Sequence, residues 1–319
     1  MKLLRYPEVI IYHKECFDGV AGAWSALKYF DSIHLNRNFV TLIPMGHSFP
    51  SVPPEVNGKH VLMVDFAYDD AKLMLELFKK AKSLTVLDHH KTSLQYKDWK
   101  PEMISQEVGN KESDDVSMEQ KSPRFQSLID MDRSGAQLAW DYFFPSQKRP
   151  PIVDYIGQRD LWKFTLPHIH ELVCYIYSQE ASIEWMDQVH NKWDLERYLS
   201  IGTALKEARD SNVRALVKGM KKAIFTDKQG KTYSVMIGDC CYIFRSDVGN
   251  KVLEMNPDID FAVLYSYYVV GNYFSVSLRG KDKVDLSLLS QQFGGGGHPN
   301  ASGIKSGNLG FITFEPTSK

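Results

Sequence analysis

The chain has 319 residues, 43% hydrophobic and 24% charged, with a formal net charge of -1. That length predicts about two domains, each able to bury a core without disulfide staples. The balance excludes a mostly disordered chain, a collagen-like repeat, a disulfide scaffold and a globally basic surface built to grip long duplex DNA. The cysteines (Cys16, Cys174, Cys240 and Cys241) offer neither a disulfide framework nor a C-x-x-C zinc pattern, so a reducing, cytoplasmic setting is expected. No apolar run is long enough to span a bilayer, and Met1–Tyr6 lacks the apolar stretch of a signal peptide, so no membrane partner is expected.

In chain order, Val9–Tyr12 predicts a short strand, apolar on both faces as in a buried parallel sheet. It runs through His13 to Gly19 into a helix over Ala21–Phe30. Further strands are expected at Phe39–Ile43, Val61–Val64 and Leu84–Leu87, with a helix over Asp69–Lys82. Strands alternating with helices predict a parallel α/β sheet. Ser105–Pro123 is polar, has no aromatic residue and reads as a flexible insertion. Order resumes at Phe125–Met131. Ser134 is placed to N-cap a helix reaching Phe143, and a further helix after Pro150-Pro151 carries Arg159-Asp160-Leu161-Trp162.

Arg197–Lys222 has a helical pattern rich in Lys and Arg, which reads equally well as a solvated face or as a phosphate-steering face. The expected division is 1–196, a helical linker 197–228, and a smaller α/β domain 229–319. In the last, strands are expected at Tyr233–Ile237, Phe261–Val270 and Tyr273–Leu278, with a two-residue hairpin turn at Gly271-Asn272 and a helix over Leu286–Gln292.

Three clusters rich in Asp and His lie just past predicted strand ends, where open α/β sheets bind ligands. As a set, His13, Asp18, Asp65, His89 and Asp160 offer the carboxylates and imidazoles that Mn²⁺ and related divalent cations accept. Carboxylates clustered at one edge repel each other, which a cation would relieve. Two ions sharing a carboxylate can activate water and offset charge on a phosphoryl group. In Asp88-His89-His90 the adjacent imidazoles point apart, so one can bind metal while the other contacts substrate and Asp88 orients a ligand.

Gly294, Gly295, Gly296 and Gly297, followed by His298, form a run whose amides could nest an anion, with Arg279 adding a phosphate contact. Arg133 reads equally as a substrate contact or a surface arginine, and Trp162 and Phe164 read as packing residues.

These residues, in this order, resemble the DHH phosphoesterase superfamily over most of the chain. His13, Asp18-Gly19, Asp65, Asp88-His89-His90 and Asp160 carry the resemblance to the DHH domain. Ser277-Leu278-Arg279 and Gly294–His298 carry that to the DHH-associated C-terminal domain. The resemblance implies a phosphoesterase that uses two Mn²⁺ ions, with Mg²⁺ or Co²⁺ as substitutes. By position, His13 binds the first metal, Asp65 bridges, Asp18, His89 and Asp160 complete the second, and His90 touches the substrate phosphate. Arg279, the glycines and His298 hold the nucleotide. The family's first motif has an Asp where this chain has Cys16, and its His stands one residue farther away; Cys16 reads as a ligand or as a packed residue.

The expectation is a phosphodiesterase hydrolysing short oligonucleotides or linear or cyclic dinucleotides between two domains, with a homodimer admissible. A phosphomonoesterase on nucleoside bisphosphates and a non-catalytic nucleotide-binding scaffold are the competing readings.

Overall fold

The computed structural model describes residues 6–46, 51–100 and 124–314. The insertion expected over Ser105–Pro123 lies outside the described residues. The chain divides into two compact units, Met1–Leu205 and Lys206–Lys319. The division falls inside one helix, Leu195–Gly219.

The first unit holds five parallel strands: β1 (Val9–His13), β2 (Thr41–Met45), β3 (His60–Val64), β4 (Ser83–Asp88) and β5 (Phe125–Ile129). Their order is β2-β1-β3-β4-β5. Alternate residues of each strand face opposite ways. Ile10, Leu62, Val64 and Leu87 join a core with α1 (Phe17–Ser32), α3 (Gly135–Phe143), α4 (Pro151–Asp160), α5 (Ile169–Ile176) and α6 (Ile183–Asn191). Val9, Ile11, Val61, Met63, Leu84 and Val86 face the other way, onto α2 (Ala71–Lys80) and the rings of Phe66, Tyr96 and Trp99. Sheet residues that are apolar on both faces are what a sheet covered on both sides requires. Strand order reverses between β1 and β3, and in such sheets the crevice outside that reversal is where ligands bind.

Apolar spacing builds α1: Phe17, Val20, Ala21, Trp24 and Leu27 recur at helical intervals and are buried. Trp24 is fully buried and its indole donates to Asp187 Oδ1 at 2.9 Å. Arg37 donates to the other oxygen of Asp187 at 2.6 Å.

The second unit is a seven-stranded sheet in the order β10-β11-β9-β8-β7-β6-β12. Its strands are β6 (Lys221–Thr226), β7 (Thr232–Asp239), β8 (Phe261–Tyr268), β9 (Tyr273–Gly280), β10 (Gly296–His298), β11 (Ala301–Ser306) and β12 (Ile312–Phe314). All neighbours pair antiparallel except β7 and β8. Their parallel crossover is α8 (Arg245–Met255), packed with the end of α7 (Leu195–Gly219) on one face; α9 (Leu286–Gln291) packs on the other. Buried Arg245 fastens α8 to the sheet, donating to Cys240 O, Ser266 Oγ, Ser275 O and Oγ, and Ser277 Oγ.

Three local expectations are corrected. The β8–β9 connection is four residues, 269–272, closed by the Asn272 amide donating to Val269 O at 3.2 Å, with Asn272 in the left-handed region. The turn therefore opens at Val269, because Tyr268 pairs with Tyr273. The helix expected to reach Lys222 ends at Gly219, and Lys221 and Lys222 begin β6. Phe39 closes a 3₁₀ turn, and the strand after it starts at Thr41. No helix among the described residues is long and apolar enough to cross a membrane.

Asp187 yields a pH prediction. Burial raises its pKa, but the donors Arg37 and Trp24 outweigh that and hold it below the ordinary range. Because the folded value is depressed, the contribution is present above an unfolded value of about 4 and is lost as pH falls through the folded one. Asp187→Asn should flatten the acid limb of the stability profile, measured by urea unfolding between neutral and acid pH. An unchanged limb contradicts the assignment.

Candidate metal centre

The carboxyl ends of β1, β3 and β4 deliver the site. His13 is the last residue of β1, Asp65 directly follows β3, and Asp88 ends β4 with His89 and His90 after it. Cys16 occupies the N-cap of α1 and Asp18 lies in that helix's first turn. Asp160 is the last residue of α4.

Asp65 is at the centre. His89 Nε2 lies 3.1 Å from Asp65 Oδ1, 3.3 Å from Asp160 Oδ2 and 3.7 Å from Asp18 Oδ2. His13 Nδ1 stands 3.6 Å from Asp65 Oδ2, and His90 Nδ1 stands 3.9 Å from Oδ1. Donor atoms of His13, Cys16 and Asp65 lie within 4.8 Å of one another, as do those of Asp18, His89 and Asp160. A third such set joins Asp65, Asp88, His89 and His90. Asp65 itself has a left-handed backbone (φ 54°), which turns the chain sharply as it leaves the strand.

Asp88 has a different job from the other carboxylates. Its Oδ1 accepts the His89 amide at 2.8 Å and His90 Nδ1 at 2.7 Å, and its Oδ2 accepts the Ser93 hydroxyl. It therefore fixes the orientation of His90. Burial opposes protonation of His90, yet Asp88 pushes its pKa up to about 9. His89 is likewise raised, with burial overcome by Asp160 and Asp65.

Asp18 shows what sequence reading missed. Its Oδ2 accepts the Gly135 amide at 2.5 Å and its Oδ1 the Ala136 amide at 3.1 Å, at the N-terminus of α3. Ser134 and Gln137 form a capping box there, so the helix start binds a carboxylate of the site as well as its own cap. A Cβ at Gly135 would stand 2.5 Å from Asp65 Cβ and 3.0 Å from Asp18 Oδ2, which explains glycine there. The signal in the sequence is Ser134-Gly135 opening a helix.

The donor set fits divalent cations. Asp65 Oδ2 is buried and accepts no hydrogen bond from the described residues, which costs free energy unless a cation takes the place of one. Burial, followed by the charges of Asp65 and Asp160, pushes the Asp18 carboxyl up. Burial also raises Asp160. The Cys16 thiol is raised by burial and then by Asp65, Asp160 and Asp18. Asp65 is the exception: the imidazoles of His13 and His89 beside it overcome burial and keep it ionised. Cations among these groups would reverse the repulsion.

In the second unit, Arg279 on β9 and His298 on β10 both pair with Ala301 on β11. In-register partners share a sheet face, so Arg279 and His298 lie on one face, two strands or about 10 Å apart. Arg279 donates to Leu278 O at 2.9 Å and to Ser246 Oγ at 3.2 Å. The glycine run departs from the expected nest. The amides of Gly294 and Gly295 donate to Gln291 O and Ser290 O at the end of α9. A Cβ at Gly295 would meet Gly303 O at 2.0 Å, so close backbone packing, before any anion, demands that glycine. Arg133 is held by Asp130 and Asp141, each at 2.8 Å.

No known family's sequence profile matches the chain. Uncharacterized protein R106 of Acanthamoeba polyphaga mimivirus is 26% identical over 318 residues, covering 97% of this chain and 70% of that protein. Among solved structures, the DHH domain of a member of a ribosomal protein family is similar at a TM-score of 0.53 and 14% identity. That match covers 95% of this chain and 83% of the other. The pGpG-specific phosphodiesterase PggH of Vibrio cholerae is similar at a TM-score of 0.47 and 11% identity, over 93% and 92%. The chain has the α/β fold of DHH-domain proteins.

Binding of Mn²⁺ to folded but not unfolded chain should stabilise the first unit by about 2.7 kcal/mol at 100 times Kd. Calorimetry should show its unfolding transition rise with added Mn²⁺ in the wild type and stay fixed in Asp65→Asn. A rise of equal size in both would show that Asp65 is not a ligand.

Proposed function

We infer that the chain is a metal-dependent phosphodiesterase that releases mononucleotides from short oligonucleotides or dinucleotides. One observation carries the reading: His13, Cys16, Asp18, His89 and Asp160, which with Asp65 are spread over 148 positions, converge around Asp65, one buried oxygen of which accepts no hydrogen bond from the described residues. In this reading Asp65 would hold both ions, His13 and Cys16 one of them, and Asp18, His89 and Asp160 the other. Divalent cations bound there supply Lewis acidity, lowering the pKa of water and offsetting phosphoryl charge.

The chain's own residues do the positioning. Asp88 holds His90 by its Nδ1, and that pairing favours the protonated ring. An imidazolium so fixed can donate to an anionic phosphate oxygen and strengthen that bond as charge grows in the transition state. Ser93, on the far oxygen of Asp88, keeps the carboxylate from turning. Arg279 and His298, on one face of the second unit's sheet, suit the phosphate of a nucleotide end. A net charge of -1 favours short substrates over long polyanions. Mn²⁺ fits a mixed oxygen and imidazole set, and Cys16 tilts one side toward softer metals.

Incubation with Mn²⁺ and a dinucleotide should yield mononucleotides; release of inorganic phosphate alone, from a nucleoside bisphosphate, would establish a monoesterase instead. Absence of both metal and turnover would leave a nucleotide-binding scaffold. Asp65→Ala should abolish turnover, whereas Cys16→Ala, at one side of the cluster, should retain a measurable rate; equal losses would remove the bridging role. Ser93→Ala should lower kcat/KM by about 10–100-fold, as expected for a residue that orients a site group. Wild-type kinetics in that variant would remove its assigned role.

A further inference from the structure

The segment that follows Asp160 carries rings that the core does not take up. Trp162 and Phe164 are half-buried and, against their reading as packing residues, belong to neither hydrophobic cluster of the first unit. Both have left-handed backbones, φ 56° and 48°, which bulky side chains rarely adopt. Such strain persists where surrounding structure imposes it, most often beside ligands.

The Arg159 guanidinium lies 4.2 Å from the centroid of the Trp162 ring, 5.6 Å from that of Tyr177 and 5.9 Å from that of Phe164. Trp162 and Phe164 meet edge to face at 4.8 Å. Tyr177, 38% exposed, packs at 4.9 Å on Phe17, the residue between Cys16 and Asp18. Among the cluster's carboxylates, Asp18 and Asp65 are buried and the Asp160 side chain is 24% exposed. The rings thus gather beside the cluster, near its partly exposed carboxylate.

We propose that Trp162, Phe164 and Tyr177, with Arg159 held among them, form a nucleobase-stacking platform beside the metal centre. Its ligand is a phosphoester that carries a planar aromatic base. Every base has a π-face, so such a platform is sequence-tolerant. The inference rests on the phosphoesterase reading for its reaction, and on the ring geometry alone for its ligand.

Calorimetric titration of the full chain with AMP and with ribose 5-phosphate, in EDTA, tests it without turnover. Wild type should bind AMP at least about tenfold more tightly than ribose 5-phosphate. Trp162→Leu should erase that preference, and Trp162→Phe, which keeps a ring, should retain most of it, with circular dichroism confirming the fold of each. Equal binding of the two ligands by wild type, failure of AMP to bind at millimolar concentration, or an undiminished preference in Trp162→Leu overturns the platform. A base preference in a chain that hydrolyses no phosphoester with Mn²⁺ would uphold the platform and remove the hydrolase reading. Hydrolysis without a base preference would remove the platform alone.

Discussion

Placing several carboxylates together away from water is the constraint around which the first unit is built. Asp18 and Asp65 are buried, Asp160 adjoins them, and each raises the cost of ionising another. Three devices offset that cost. Imidazoles surround Asp65, backbone amides of α3 meet Asp18, and Asp88 is set aside to steer His90. None of these donates a hydrogen bond to Asp65 Oδ2, and the remaining demand is one a divalent cation would meet.

The sheet makes this arrangement simple to assemble. Parallel strands bring His13, Asp65 and Asp88 to one edge at the spacing of adjacent strands. The reversal of strand order between β1 and β3 leaves room there for α1 and α3 to bring Asp18 and the Gly135 amide. In the second unit a mainly antiparallel sheet instead sets side chains in rows, and the row through Ala301 carries both Arg279 and His298.

Residues whose chemistry is local are legible in the sequence. The β-branched runs mark β1, β3 and β4, and the polar residues after each of them stand where the sheet ends. Ser134 is readable as a cap because capping is set within four residues. What escapes such reading depends on distant partners. Nothing near Gly135 announces that it leaves space for Asp65, and nothing near Gly295 announces the carbonyl of Gly303. Lys221 and Lys222 read as the end of a helix because the strand character of β6 comes from pairing with β7 and β12. Trp162 and Phe164 read as packing residues because composition carries no sign of backbone strain.

The bond between Asp18 and the amide of Gly135 joins residues 117 positions apart. Closing so long a loop costs more chain entropy than a local contact. Nascent chain that has emerged only as far as β4 holds His13, Asp18 and Asp65 but neither the amides that bind Asp18 nor His89 and Asp160. The full set of candidate ligands therefore exists only once the first unit is whole, so a metal that needs all of them would report that folding has finished.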